Sequence, residues 1–190
     1  MRLIAGSRRG LRLATLGKGD AGAHLRPTPD RVRESLFSAL QSRADDPLTG
    51  ALVLDLFAGT GALGLEALSR GAAKVTFVDN GRTAQRVLKD NITRARAEDA
   101  ACVMGCDATR LPPANAAPAT LVFLDPPYGQ GLGGRALTVS RSGGWIAPGA
   151  LVIWEEAAAQ DAPSGFCLDS HRRYGTTHIT VLVAAACPGT

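Results

Sequence analysis

The run Asp55-Leu-Phe-Ala-Gly59-Thr-Gly61-Ala-Leu-Gly64 closes a short apolar stretch, Ala51–Phe57, and opens residues that favour a helix to about Arg70. Few architectures accept a strand that ends in closely spaced glycines and turns at once into a helix. Glycine lets the backbone turn sharply and approach a ligand, and the helix start offers unpaired N–H groups. Beyond it the pattern repeats: strands at Lys74–Asp79, Cys102–Met104, Thr120–Asp125 and Ala150–Glu155, with a helix at Thr83–Ala97. Two late runs, Phe166–Arg173 and Thr177–Ala184, meet at Tyr174–Gly175 and read as a closing hairpin. Alternating strands and helices predict a doubly wound, mostly parallel α/β sheet. Such sheets hold ligands at the carboxyl ends of their strands, where strand order reverses.

Upstream, Pro27 and Pro29 lead into a predicted helix from about Asp30 to Ser42, with Val32, Leu36, Phe37 and Leu40 on one face. The first residues hold strand-like pieces, Arg2–Ala5 and Leu11–Ala14, broken by glycines, and read as a hairpin-like or partly mobile extension. Residues 1–33 carry a balance of +6 out of a total of +4, leaving the remainder at −2. A basic arm on a near-neutral body predicts a polyanionic partner, with a solvated charged tail as the plainer reading. The expected division is an arm over residues 1–25 and one domain over 26–190, since 190 residues suit a single core.

Other classes receive little support. Val181–Cys187 is far too short to cross a bilayer. Arg8, Arg9 and Arg12 interrupt the first apolar run, so no secretory signal is read and a cytoplasmic location is the expectation. Cys102, Cys106, Cys167 and Cys187 have no zinc-ligand spacing and are expected to be small, buried or half-buried thiols. No metal and no catalytic triad is read from His24, His171 and His178.

The glycine turn matches G-x-G-x-x-G, and Asp79 lies twenty residues past Gly59, where a ribose-binding carboxylate belongs. That spacing alone indicates an adenosine-bearing cofactor. Charge then chooses among them. The strand ends present Asp55, Asp79, Asp107 and Asp125, with no Lys or Arg between Arg43 and Arg70. A pyrophosphate placed there would meet like charge, at a cost of about 4 kcal/mol for a pair near 4 Å at an effective dielectric of roughly 20. S-adenosylmethionine carries one net positive charge and suits the same rim. Asp55 with Gly59, Thr60 and Gly61 would hold its methionine end, and Asp79 its ribose. Asp107 would accept from the adenine amino group, or else serve only as a turn residue. Phe57, Asn80 and Ala108 complete the candidate cofactor set, and Phe77 and Val78 could add apolar walls.

The fourth strand ends in Asp125-Pro126-Pro127-Tyr128. Two prolines lack N–H groups, so nearby carbonyls stay available as acceptors. The Asp125 carboxylate adds another acceptor, and Tyr128 a flat face with a polar tip. An exocyclic amine on a base is a poor nucleophile because its lone pair is conjugated with the ring. Accepting both of its N–H bonds favours a pyramidal nitrogen with its lone pair aimed outward. Such bonds to a charged acceptor are worth about 1.5–3 kcal/mol each and strengthen as charge develops. Tyr128 would stack on the exposed base. The plainer reading is a strand-terminating proline pair beside a packed tyrosine.

Nearly end to end, the chain resembles the RsmD-type family of bacterial methyltransferases acting on the N2 of a guanine in 16S ribosomal RNA. The carriers are Leu25-Arg-Pro-Thr-Pro-Asp-Arg-Val-Arg-Glu-Ser-Leu-Phe37, Val53 through Ala72, Asp125-Pro-Pro-Tyr128 and Arg173-Tyr-Gly175. The resemblance implies a Rossmann-like class I methyltransferase with a seven-stranded sheet and a short basic N-terminal extension. It also implies ribosomal RNA within an assembling small subunit as partner, and a monomer is expected. Arg26 to Thr28 would lie beside the methionine end, and Arg8, Arg9, Arg12, Arg26 and Arg31 would contact RNA. The ribose position is Asp79 where the family usually has Glu, and Gly17–Ala23 and Gly129–Gly144 look loose beside the family. The competing readings are an adenine-N6 DNA methyltransferase, for which no target-recognition insert is seen, a nicotinamide-dependent oxidoreductase, and an inactive RNA-binding module.

Overall fold

A computed structural model describes residues 1–15 and 30–186. Its elements are α1 (Asp30–Gln41), β1 (Leu52–Leu56), α2 (Ala62–Ser69), β2 (Lys74–Val78), α3 (Arg82–Arg94) and β3 (Ala101–Met104). They continue with β4 (Ala119–Leu124), α4 (Leu132–Ser142), β5 (Ile146–Glu156), β6 (Phe166–Tyr174) and β7 (Thr177–Ala184). Seven strands form one sheet in the order β3-β2-β1-β4-β5-β7-β6. Only β7 runs antiparallel, between β5 and β6. The doubly wound, mostly parallel sheet is therefore present, and strand order reverses between β1 and β4.

Period-two alternation explains why the central strands are apolar on both sides. Val53, Phe77, Leu121, Phe123 and Ile153 face one core; Leu54, Leu56, Val78, Val122 and Val152 face the other. Strands covered by helices on both faces require this pattern. On the first face Phe37 of α1 packs at 5.5 Å, ring to ring, against Phe123.

Residues 1–15 are joined closely to that body. Leu3 and Leu13 are buried in the first core, and Arg2 bridges Arg12 in antiparallel fashion. The backbone N–H groups of Ile4 and Ala5 donate to Glu66 of α2 at 2.8 and 3.1 Å, and Arg70 donates to the same carboxylate at 2.7 Å. This cover explains why every residue of α2 from Leu63 to Ser69 is buried, although a surface helix keeps one polar face. Gly6 has no room for a side chain: a Cβ there would lie 1.7 Å from the Ser69 carbonyl oxygen.

Three expectations change. The stretch 129–144 holds helix α4 rather than a loose segment. Its glycines disfavour a helix by about 1 kcal/mol each, yet Gly133 is what lets α4 reach β5, since a Cβ there would meet the Trp154 ring at 2.4 Å. Arg33 is fully buried on the inner face of α1, where the apolar pattern suggested Val32; it donates to the Arg2 carbonyl and to Asp30. Cys102 and Cys167 are exposed, Cys106 is half-buried, and all three are free thiols. Edge strands β3 and β6 leave one side of their pleat to solvent, which a burial preference for cysteine does not foresee.

Candidate active site

The carboxyl ends of β3, β2, β1, β4 and β5 set five acidic groups in a row along one edge of the sheet: Asp107, Asp79, Asp55, Asp125 and Glu155. The glycine loop after β1 and the Asp125–Tyr128 corner after β4 flank the reversal of strand order. That is where an open α/β sheet leaves a crevice.

On the β1–β2 side the loop is held by its own backbone. Gly59 donates to Asp79 Oδ2 at 2.8 Å, and Gly81 donates to Asp79 Oδ1 at 2.8 Å. Ala58 donates to the Val78 carbonyl at 3.0 Å, and Gly61 to the Ala58 carbonyl at 2.7 Å. Gly59 and Gly61 adopt positive φ, and so does Phe57 at 60°. A non-glycine residue in that region is strained and needs its surroundings to hold it. The Thr60 carbonyl accepts from Asn91 of α3 at 2.9 Å, fixing the loop from above. Asn80 is exposed at the edge and Ala108 is buried. Asp107 caps the short 3-10 turn Ala108–Arg110, accepting from Thr109 N and Oγ1 at 2.8 Å each, and these bonds lower its pKa. Asp107 therefore serves as the cap of this turn.

Asp55 lies beneath the loop, 2% exposed, and accepts from Gly64 N at 3.0 Å. Burial pushes its pKa up to about 8; the Gly64 N–H opposes the shift, and Asp79 adds to it.

Past β4, Pro126 and Pro127 end the ladder, and Asp125 is partly covered. Its pKa is raised well above the carboxylate range, first by burial and then by Glu155, Asp55 and Glu156. Tyr128, 39% exposed, donates its hydroxyl to Glu155 Oε1 at 2.9 Å, and burial together with that acid raises its own pKa. Glu156 accepts from Gly129 N at 3.1 Å and Ala157 N at 3.0 Å. Among the described residues, neither Asp55, Asp125 nor Glu156 forms an ion pair, and no group of three or more metal-binding side chains occurs.

Glu155 and Glu156 went unnoticed in the sequence. Their signal was available, because two acids end the fifth strand as single acids end the first and fourth. Among the described arginines expected to contact RNA, Arg8 differs from Arg9, Arg12 and Arg31. Its guanidinium donates to the Ala95 carbonyl at 2.6 Å and to those of Leu68 and Arg96 at 3.4 Å, bridging the ends of α2 and α3. Arg9, Arg12 and Arg31 are exposed. Arg26 and Thr28 lie outside the described residues.

Residues 1–183 match the protein family described as Conserved hypothetical protein 95. The chain is 37% identical over 164 residues to ribosomal RNA small subunit methyltransferase D of Escherichia coli strain K12, covering 86% of this chain and 78% of that protein. The solved structure of yhhF from Escherichia coli superposes with a TM-score of 0.82 at 34% identity, covering 98% of each chain. An RNA methyltransferase from Salinibacter ruber, crystallised with S-adenosyl-L-homocysteine, shares the fold at 16% identity and a TM-score of 0.64, over 84% of this chain and 94% of that one.

Proposed function

The chain belongs to the Conserved hypothetical protein 95 family, together with ribosomal RNA small subunit methyltransferase D, and from that premise we propose that it methylates the exocyclic N2 of a guanine in small-subunit ribosomal RNA. The methyl donor would be S-adenosylmethionine, and the substrate an assembling subunit in the cytoplasm. Membership of this family sets aside the nicotinamide-dependent reading.

The donor set fits a cationic cofactor. Asp55 is a covered acid whose ionisation is suppressed by burial and by Asp79; a positive ligand relieves it. Asp55 and the loop Gly59–Gly61 would hold the methionine end, Asp79 and Asn80 the ribose side, and Ala108 a wall beside the adenine. When bound, the cofactor supplies an electrophilic methyl group on a sulfonium.

The chain's own work is on the amine. Asp125 and the Pro126 carbonyl would accept its two N–H bonds, loosening the lone pair from the ring and turning it toward the donor. As the nitrogen becomes cationic, Asp125 stabilises it and then takes up or relays the departing proton, which a raised pKa favours. Tyr128, pinned by its hydroxyl to Glu155, would offer its ring to the extruded base. In-line positioning of two bound reactants supplies much of the remaining acceleration.

The observation that carries this reading is the placing of the Asp125–Tyr128 corner across the strand reversal from the glycine loop. Tritium transfer from S-adenosylmethionine to small subunits from a strain lacking the enzyme, compared with DNA, tests it. Subunits should be labelled at N2 of guanine and DNA should not; labelled adenine in DNA would favour the N6 enzyme. Asp125→Ala should reduce turnover by about 10²–10³-fold with cofactor affinity within about threefold of the parent. Unchanged turnover would remove Asp125 from the mechanism.

A further inference from the structure

A crevice edged with carboxylates repels the phosphates of the RNA it is proposed to receive, so cations have to stand on its rim. Arg9 and Arg12 stand on the segment fastened to α2 and α3, on the β1–β2 side. The opposite side is formed by the β6–β7 hairpin. We propose that the tip of this hairpin, through Arg172, Arg173 and the His171–His178 pair, is a second RNA-contact surface that grips the backbone beside the extruded base. The inference rests on the ribosomal RNA reading of the site.

Register places the tip at the right edge. β7 runs antiparallel to β5, with Glu155 opposite Ile179 and Glu156 opposite His178. Residues 174–177 therefore lie beyond the carboxyl end of β5, level with the corner. The tip is also braced, since Ser35 of α1 donates to the Tyr174 hydroxyl at 3.3 Å.

The side chains suit a phosphate backbone. His171, Arg172 and Arg173 are exposed on β6, the outermost strand. Alternation puts His171 and Arg173 on one face and Arg172 on the other, so the two guanidinium groups straddle the edge. Neither forms an ion pair among the described residues; Arg173 Nε donates to the Gly175 carbonyl at 2.9 Å. Arg172 lies in the field of Asp169, whose carboxylate is already taken by Arg43 at 3.1 Å. His178 Nδ1 and His171 Nε2 are 3.1 Å apart with the rings stacked at 5.2 Å. In an imidazole pair joined by one N–H···N bond, the accepting ring keeps an N–H on its other nitrogen. A donor for a phosphate oxygen thus remains on the face that carries Arg173.

Charged residues on an exposed edge strand also deter edge-to-edge pairing. That role alone predicts self-association when the charges go, with RNA binding unchanged. The test is Arg172→Ala with Arg173→Ala, and separately both changed to Lys. Binding to 16S ribosomal RNA is titrated over a series of salt concentrations, with sedimentation to follow self-association. Loss of two phosphate contacts should flatten the slope of log K against log salt by up to about 1.4 on single-stranded RNA. KM for small subunits should rise with kcat held, and the Lys pair should restore the slope. A slope and KM equal to the parent's in the Ala pair, with or without self-association, overturns the proposal. Failure of the parent to methylate small subunits would instead defeat the functional reading, while the slope difference still reports on the hairpin.

Discussion

The two sides of the strand reversal are built on different physical terms. On the β1–β2 side, both oxygens of Asp79 accept backbone N–H groups, and the glycine loop is braced by α3 through Asn91. On the β4–β5 side, Asp125, Glu155 and Glu156 crowd together, and Asp125 is driven toward its protonated form. The first side is a cradle whose polar groups are satisfied before any ligand arrives. The second stores electrostatic strain that a developing positive charge releases. A site that must hold one reactant still while changing the charge of the other gains from this division.

The sharpest way to break the contrast is to exchange its phenotypes. Asp79→Ala strands the Gly59 and Gly81 N–H groups and loosens the loop. Each lost bond to a charged acceptor is worth about 1.5–3 kcal/mol. Calorimetry should show S-adenosylmethionine bound about ten- to a hundredfold more weakly, with turnover at saturating cofactor largely kept. A variant that binds normally but turns over slowly would mean the halves are not separable in this way.

Proton linkage comes next in size. Folding raises the pKa of Asp55 from about 3.9 in an unfolded chain to about 8, so between those values the folded protein holds the extra proton. Its contribution to stability is present at low pH and declines as pH rises through that window; Asp125 shifts in the same direction. Binding of a cation expels the proton, so affinity should strengthen by up to about tenfold per pH unit below 8. Melting curves at pH 6 and pH 8, with and without S-adenosylmethionine, report both effects. The ligand-induced rise in Tm should be larger at pH 8, and Asp55→Asn should weaken the dependence. A ligand shift independent of pH would contradict the assignment.

The smallest effect separates the basic residues. Arg8→Ala should lower stability by about 1 kcal/mol, because a cation bonded to carbonyls at two helix ends is lost from a partly exposed site. Arg9→Ala and Arg12→Ala should leave the melting temperature nearly unchanged and flatten the salt dependence of RNA binding. If Arg8 behaves like its neighbours in both measurements, its carbonyl contacts carry no stability.

The chain's periodicity determined the layered sheet, the strand–glycine–helix turn and the proline-ended fourth strand. Each of these depends on local rules: alternation between two cores, the φ that glycine permits, the N–H that proline lacks. The chemical character of the crevice was legible as well, since carboxylates at successive strand ends are forced to one edge by a parallel sheet. Helix α4, the burial of Arg33 and the different duty of Arg8 were decided only in three dimensions. Gly133 weakens a helix in isolation and becomes necessary once Trp154 occupies the space against it. Arg33 and Arg8 read as solvated cations until carbonyls from residues 31 to 88 positions away close around them. Glu155 joined the corner for the same reason: its partner Tyr128 lies 27 residues earlier and meets it only because β4 and β5 are neighbours. Local sequence fixes which conformations a segment favours, whereas the partner that satisfies a buried polar group is supplied by whatever the fold brings beside it.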